Sequence, residues 1–477
     1  MLVVLVVGLA LLVSGGDDRD GGPPAALATR LVPADALVYV HLSTDTGRRG
    51  TAAAERLAQA FPGYDALRKS LVKRLSAPGC PVAADALKNG REAALALIDT
   101  GSEAAGSLVY VDTGNTDKLP ERTCGAVQTG KFGRFLVIGQ PQTIVLARQL
   151  AAGKGRSLAD VAAYRRGLDG LPAGRVADAW ATADGVDRLL APQGGILGVA
   201  GSLLRRPGGA ATIAAVVPAE QGARVIVRTL SRTPATTSSS SFRPFTPTIQ
   251  GELPDSAMGF LAVEGISGAA AQLLGLAGLR TPGLGALLAR AGKDLQPLAR
   301  LFDGEVGVTV TRATPTAILT LVTRTPDPAA ARRTLASLRP KIARLLARSP
   351  DNIPVWKAVG STYRLRPSSG LELDYDIVGD LIVVSTRQAG IDGVRTRQGR
   401  LPDTAGWRAA VGKASNPVSS LGFLDFNQLL RLGEQTGLDE NRAYLAAKAD
   451  LQRLRSVGVR SSTEGDESTV ELFLSFP

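Results

Sequence analysis

Hydrophobic positions along this chain switch between a period of two and a period of three to four residues, and the switches lay out the elements. Alternation over residues 36–42 predicts a strand. Helical spacing follows over 52–61 and 64–75, the second stretch with Leu67, Leu71 and Leu75 on one face. Runs at 93–98 and 108–111 predict a hairpin, and 135–138 a further strand. Helices are expected near 143–152 and 158–168, with Ser157 and Asp160 placed as N-terminal acceptor and negative charge. A strand near 177–183, a helix near 186–204 and a hairpin of 212–217 with 224–230, turned by Glu220-Gln221-Gly222, complete the first half.

The plan then recurs. Pro33-Ala34-Asp35-Ala36-Leu37-Val38-Tyr39-Val40 returns as Pro254-Asp255-Ser256-Ala257-Met258-Gly259-Phe260-Leu261. Pro62-Gly63 returns as Pro282-Gly283, Tyr164-Arg165 as Trp407-Arg408, and Gly133 to Ile138 as Gly379 to Val384. Residues 319–322 match 108–111, and 421–425 with a helix at 428–432 match the late strand and helix. A closing hairpin is expected at 457–461 and 470–476, turned by Glu464-Gly465-Asp466. Preserved order with modest drift predicts a tandem duplication of a module of roughly 200 residues. Hairpins with helices grouped between them predict an α+β fold with mixed or antiparallel sheets. The expected divisions are an apolar segment at 1–15, a spacer at 16–30, module one at 31–232, a Ser/Thr/Pro linker at 233–250 that does not pack, and module two at 251–477.

Residues 1–13 carry no charge but fall short of the roughly 20 needed to cross a bilayer as a helix. Two readings stand: the outer part of a transmembrane anchor whose true start lies upstream, or a signal peptide's apolar core that is cleaved. Both place the body outside the cytoplasm, and the absence of flanking Lys or Arg agrees. A formal charge of +12 favours anionic lipid, wall polymers or another envelope protein as partners. Nucleic acid is not expected, because the basic residues are scattered and few aromatics interleave with them. In an exported chain the isolated pair Cys80 and Cys124 is read as a disulfide contributing about 3–4 kcal/mol, with two free thiols as the alternative. Two thiolates and a distant histidine make a poor metal site, and no cofactor is expected.

Candidate chemistry is sparse. Ile98-Asp99-Thr100-Gly101 and Val111-Asp112-Thr113-Gly114 resemble the strings of aspartic peptidases, but both lie in one hairpin and the second half offers Val322-Thr323-Arg324-Thr325 instead. Turn chemistry explains them, with Asp capping backbone N–H groups and Gly taking positive φ. His41, the only histidine, is expected at the surface or half-buried. Gly153-Lys154-Gly155 and Gly292-Lys293 lack Walker spacing and read as helix ends. The apolar, glycine-rich run 194–204 reads as a core helix or an interfacial segment. A helix near 329–347 is basic, and Lys341, Arg344 and Arg348 share a face that could dock on an anionic surface or simply be solvated.

The Pro-Ala-Asp-Ala-x-x-Tyr-Val opening, the shared element order and the leucine-rich close from Leu451 to Phe476 resemble a bacterial, largely actinobacterial family of membrane-anchored proteins of unknown function. The resemblance implies a single N-terminal anchor and an extracytoplasmic body, and brings no catalytic residues. A non-enzymatic binding, scaffolding or envelope role is therefore expected, with a lipid or apolar-ligand carrier as the alternative and an aspartic-type hydrolase third.

Overall fold

The computed structural model describes residues 22–66, 90–101, 105–190, 209–231, 243–265 and 296–476, apart from isolated positions within those ranges. The first half contributes β1 (Val38–Ser43), β2 (Glu92–Ile98), β3 (Gly106–Asp112), β4 (Thr123–Cys124), β5 (Val127–Phe132) and β6 (Phe135–Gly139). It continues with β7 (Ala177–Thr182), β8 (Gly209–Ala219) and β9 (Gly222–Ser231). The second half supplies β10 (Ala257–Glu264), β11 (Glu305–Thr311), β12 (Ile318–Arg324), β13 (Lys357–Val359), β14 (Thr362–Ser368) and β15 (Leu371–Val378). Its last strands are β16 (Leu381–Ser385), β17 (Ser420–Asp425), β18 (Ser456–Glu464) and β19 (Glu467–Ser475).

All of these strands join one antiparallel sheet. Outward from β9 the neighbours run β8, β7, β1, β2, β3, β6, β5, β4. Outward from β19 they run β18, β17, β10, β11, β12, β16, β15, β14, and then the additional β13. Connectivity is therefore the same on both sides of the β9–β19 pair. Besides short helical segments at Ala183–Gly185, Val186–Leu190 and Gln296–Leu301, the helices among the described residues are α1 (Arg49–Gln59), α2 (Pro141–Ala151), α3 (Ala162–Asp169), α4 (Pro328–Leu346), α5 (Gln388–Thr396), α6 (Ala405–Ala410), α7 (Phe426–Gln435) and α8 (Arg442–Leu451). Each half has its own main core. One gathers Tyr39, Tyr110, Ile144, Leu158, Tyr164, Trp180 and Ile213; the other gathers Phe260, Leu381, Ile391, Leu401, Trp407, Leu421 and Phe423.

The seam has a telling register. Trp180 lies opposite Ile213, which lies opposite Arg228. In the other half Phe423 lies opposite Gly458, and Gly458 opposite Phe473. Arg228 and Phe473 thus hold the same place in their halves. Across the seam Arg228 faces Thr469, Arg224 faces Phe473, and Ile226 faces Glu471. Arg228 faces the counterpart of Arg224, Arg224 faces the counterpart of Arg228, and Ile226 faces its own counterpart, the geometry of an isologous contact centred on Ile226 and Glu471. Further links cross between the halves. Arg228 pairs with Glu467, Phe61 meets Phe476 edge-on at 5.0 Å, and Asp450 accepts the Gly63 N–H at 2.8 Å. A Cβ at Gly222 would run into the Leu474 carbonyl, so β9 can approach β19 there only with glycine.

Most expected elements are present, with corrections. The stretch expected as one helix at 158–168 is a 3-10 turn, Leu158–Asp160, followed by α3, with Ser157 and Asp160 forming a capping box. Both expected non-packing boundaries pack in part. A 3-10 turn at Leu27–Leu31 buries Ala28, and another at Ile249–Glu252 buries Ile249. Phe245 forms a backbone bridge with Val418 inside the expected linker. Of the helix expected at 64–75, residues 64–66 are helical and most of the rest falls outside the described residues, as do the run 194–204, Gly292, Cys80 and residues 1–21. Among the described residues no helix is long and apolar enough to cross a membrane.

The two halves also carry a reversed ion pair. Asp112 at the end of β3 is gripped by Arg134 from the β5–β6 turn, Nε to Oδ1 at 2.8 Å and a terminal nitrogen to Oδ2 at 2.7 Å. At the matching place on β12 stands Arg324, paired with Asp380 from the β15–β16 turn. Gly133 and Gly379 open those turns at φ 60 and 63, and the backbone N–H groups of Thr113 and Thr325 donate to the Arg134 and Asp380 carbonyls at 2.9 and 2.8 Å. Because Asp112 is buried, Arg134→Asp is expected to cost about 3–5 kcal/mol by leaving an unpaired buried charge. Adding Asp112→Arg should recover part of that loss, as a urea double-mutant cycle would read. Equal stability of the single and double variants would contradict the equivalence of the two pairs.

Candidate functional site: a buried ion cluster beneath the N-terminal turn

Alternation along β1 points Tyr39, His41 and Ser43 to one face. Pairing brings Asp178 of β7 opposite His41, Trp180 opposite Tyr39, and Glu92 of β2 opposite Ser43. His41 Nδ1 stands 3.0 Å from Asp178 Oδ2, and Arg175 Nε donates to the same oxygen at 3.2 Å. His41 Nε2 lies 3.8 Å from Glu92 Oε1, within ion-pair range but too long for a hydrogen bond. Glu92 in turn accepts the N–H groups of Leu27 and Ala28 at 2.9 and 3.0 Å, holding the first turn of the folded body. His41 is 0% exposed, Glu92 and Asp178 1%, and Arg175 4%. This corrects the expectation of a surface or half-buried histidine: β1 is an interior strand covered on both faces.

Beside the ions sit three aromatics. Tyr39 and Tyr164 meet edge-on at 6.1 Å between ring centres, and Tyr164 and Trp180 at 5.7 Å. Among the described residues the buried Tyr39 Oη, Tyr164 Oη, Asp178 Oδ1 and Trp180 Nε1 have no hydrogen-bond partner. The second half builds the same aromatic trio from Phe260, Trp407 and Phe423, at 5.6 and 5.3 Å. There the place of His41 is taken by Ala262 and that of Asp178 by Leu421, as the strand registers show. Counting back three residues, Val418 stands where Arg175 does. Only the glutamate is common: Glu305 matches Glu92 and likewise accepts the N–H groups of Thr248 and Ile249, at 2.9 and 3.0 Å. The glutamate clamp is thus common to both halves, whereas the histidine, aspartate and arginine occur only in the first.

Burial acts against every charge here, so the neighbours decide the titration. For His41, burial would lower the pKa, but Asp178 and then Glu92 outweigh it and raise it above the ordinary 6.5. Burial would raise Asp178, but His41 and Arg175 hold it below 3.8. Burial wins at Glu92 and raises it above 4.5, despite His41 and the two N–H groups. The raised histidine contributes stability that is full below pH 6.5 and lost as pH rises through its folded value. Raised Glu92 acts in the same direction from pH 4.5 upward, while Asp178 contributes above 3.8 and loses that only as pH falls further. Urea midpoints are thus expected to fall from pH 6 to pH 9, and His41→Ala should flatten that slope. An unchanged slope in the variant would place the titration elsewhere.

Cluster chemistry includes a proton acceptor and donor side by side, but a substrate has no exposed atom of it to reach. The aspartates singled out in the sequence do turn work instead. Asp99 accepts the Gly101 N–H at 2.9 Å and pairs with Arg188 at 2.6 Å; Asp112 accepts the Gly114 N–H at 2.8 Å. Gly101 and Gly114 take φ 74 and 71. Gly153 and Gly155 likewise end α2 at positive φ. Cys124 falls on β4. Lys341 and Arg344 are exposed on α4, opposite buried Leu335 and Leu338, whereas Arg348 lies past the helix end and outside the described residues. Arg339 of the same helix does not point to solvent: it stacks 3.3 Å over the Tyr363 ring and donates to Tyr375 Oη at 2.6 Å.

No family model matches the chain, and no curated protein matches it. Two solved structures resemble it weakly. Crystal form I of TP0453 is 9% identical with a TM-score of 0.26, over 44% of this chain and 80% of that one. Crystal form III is 9% identical with a TM-score of 0.24, over 48% and 93%. Likeness at that level carries no argument about function.

Proposed function

We propose that this protein is a non-enzymatic, membrane-anchored extracytoplasmic binding or scaffolding protein, made by tandem duplication of one α+β module. The observation that carries the duplication is the seam: identical strand order on both sides, with register centred on Ile226 and Glu471. The reversed ion pair, the paired glutamate clamps and the paired aromatic trios support it. Anchoring by residues 1–15 rests on their uncharged apolar run, and the clamp at Leu27 and Ala28 would tie the body firmly to whatever precedes it. A continuous sheet transmits load and holds surfaces at fixed spacing, which suits a scaffold better than two loosely tethered units.

The alternative, a carrier of lipid or another apolar ligand, needs an apolar-lined cavity. The open groove at the seam is lined by Pro62 and Ala449 together with Asn427, Gln452, Arg453 and Arg455, a mixed lining and not an apolar one. Native mass spectrometry of residues 25–477, exported by a related host and purified without detergent, separates the two readings. A clean apo mass is expected. A reproducible discrete lipid adduct that persists when Arg453 and Arg455 of the seam groove are replaced by Gln would overturn the scaffold reading in favour of the carrier.

A further inference from the structure

Where the halves meet, the chain forms an open groove of about 460 Å³ lined by Pro62 from the first half and Asn427, Ala449, Gln452, Arg453 and Arg455 from the second. It exists only because the halves are joined. Pro62 is held over the end of α8 by the Gly63 to Asp450 hydrogen bond and the Phe61–Phe476 contact. The polar lining is rich in donors: two guanidinium groups and two carboxamides. Arg453 and Arg455 are exposed, and neither side chain has an ion-pair partner among the described residues. That sets them apart from Arg134, Arg175, Arg228, Arg324, Arg364 and Arg395, each of which is committed to a carboxylate. The nearby carboxylate, Asp450, already accepts the Gly63 N–H.

We propose that this seam groove binds a phosphate group, with Arg453 and Arg455 as the charged ligands and Asn427 and Gln452 as neutral donors. Guanidinium forks match two phosphate oxygens at once, and an open groove leaves room for the rest of a phosphorylated molecule. The proposal deepens the binding role put forward above and rests on it. Its two sources are free phosphate and the phosphodiester of a lipid headgroup.

The full chain in uncharged detergent, titrated calorimetrically with inorganic phosphate and separately with glycerophosphoglycerol, tests the site. At least one probe should bind, weakening as salt is raised. Arg453→Gln with Arg455→Gln should reduce that affinity about tenfold or more, while leaving the thermal midpoint unchanged because both side chains are exposed. Binding of inorganic phosphate assigns the free anion; binding of the diester alone assigns the headgroup. If neither probe binds, or if the double variant binds as tightly as the parent, the phosphate site is wrong. A clean apo mass in the detergent-free experiment would still stand in that case, so the loss of this site and the loss of the scaffold reading are told apart.

Discussion

Asp178→Ala is expected to cost about 3–5 kcal/mol of stability, because it leaves two buried cations without their shared partner. His41 and Arg175 both meet Asp178 Oδ2, at 3.0 and 3.2 Å, and none of the three is more than 4% exposed. Burial then drives His41 towards its neutral form and strands the Arg175 guanidinium, which keeps only the Pro172 carbonyl, at 3.2 Å. Chemical denaturation at pH 6 reads the loss. A sharper test replaces the whole set by what the second half uses at those places: His41→Ala, Asp178→Leu and Arg175→Val together. Removing a buried ion cluster in favour of apolar side chains is often neutral or stabilising by about 1–4 kcal/mol. The triple variant should therefore be far more stable than Asp178→Ala alone. A triple variant as unstable as the single one would show that the polar set is required for folding, against the comparison of the two halves.

Trp407→Ala is expected to cost a similar amount, about 3–5 kcal/mol, as the largest side chain in the second core is removed. Trp407 is 1% exposed, sits between Phe260 and Phe423, and donates its Nε1–H to the Gly412 carbonyl at 3.2 Å. The informative readout is Trp180, which lies in the other half. If the sheet makes one cooperative body, the Trp180 fluorescence transition in urea, read in a Trp356→Phe background so that Trp180 alone reports, moves down with the far-ultraviolet circular dichroism transition. A Trp180 transition that stays at the parent midpoint would mean that the halves unfold independently.

Legibility in the sequence followed exposure. Apolar strands in the middle of the sheet, such as Val38–Ser43 and Phe135–Gly139, announce themselves because both faces are buried. The outer strands are hidden. Thr362–Ser368 contains a proline and two arginines, and Leu371–Val378 carries charges at every other position that ion-pair across the strands. The short turns Leu27–Leu31 and Ile249–Glu252 were hidden by the same cause in both halves: they are too short and mixed to show a period, and the glutamates that clamp them lie far along the chain. His41 misled because polar residues are ordinarily exposed, and nothing local marks Asp178 as its partner 137 positions away. The recurring order of segments, by contrast, is readable as a pattern and leads to the expectation that two modules pack together about a pseudo-twofold, but the strands that would make that contact are not legible. Strands β9 and β19 look like two ordinary terminal hairpin strands until their register is known.

Hydrogen exchange at the seam tests the central claim most directly. Backbone amides of Gly222–Ser231 and Glu467–Ser475 that point at one another are expected to exchange as slowly as those of the central pair β1 and β7, because a paired interior strand opens only when the sheet does. Val225, Val227 and Thr229 would share protection with Leu472, Val470 and Ser468, the positions whose amides and carbonyls meet across the seam. Fast exchange along those edges, of the kind a solvent-facing edge strand shows, would mean that the two halves are separate bodies and that the single-scaffold account fails.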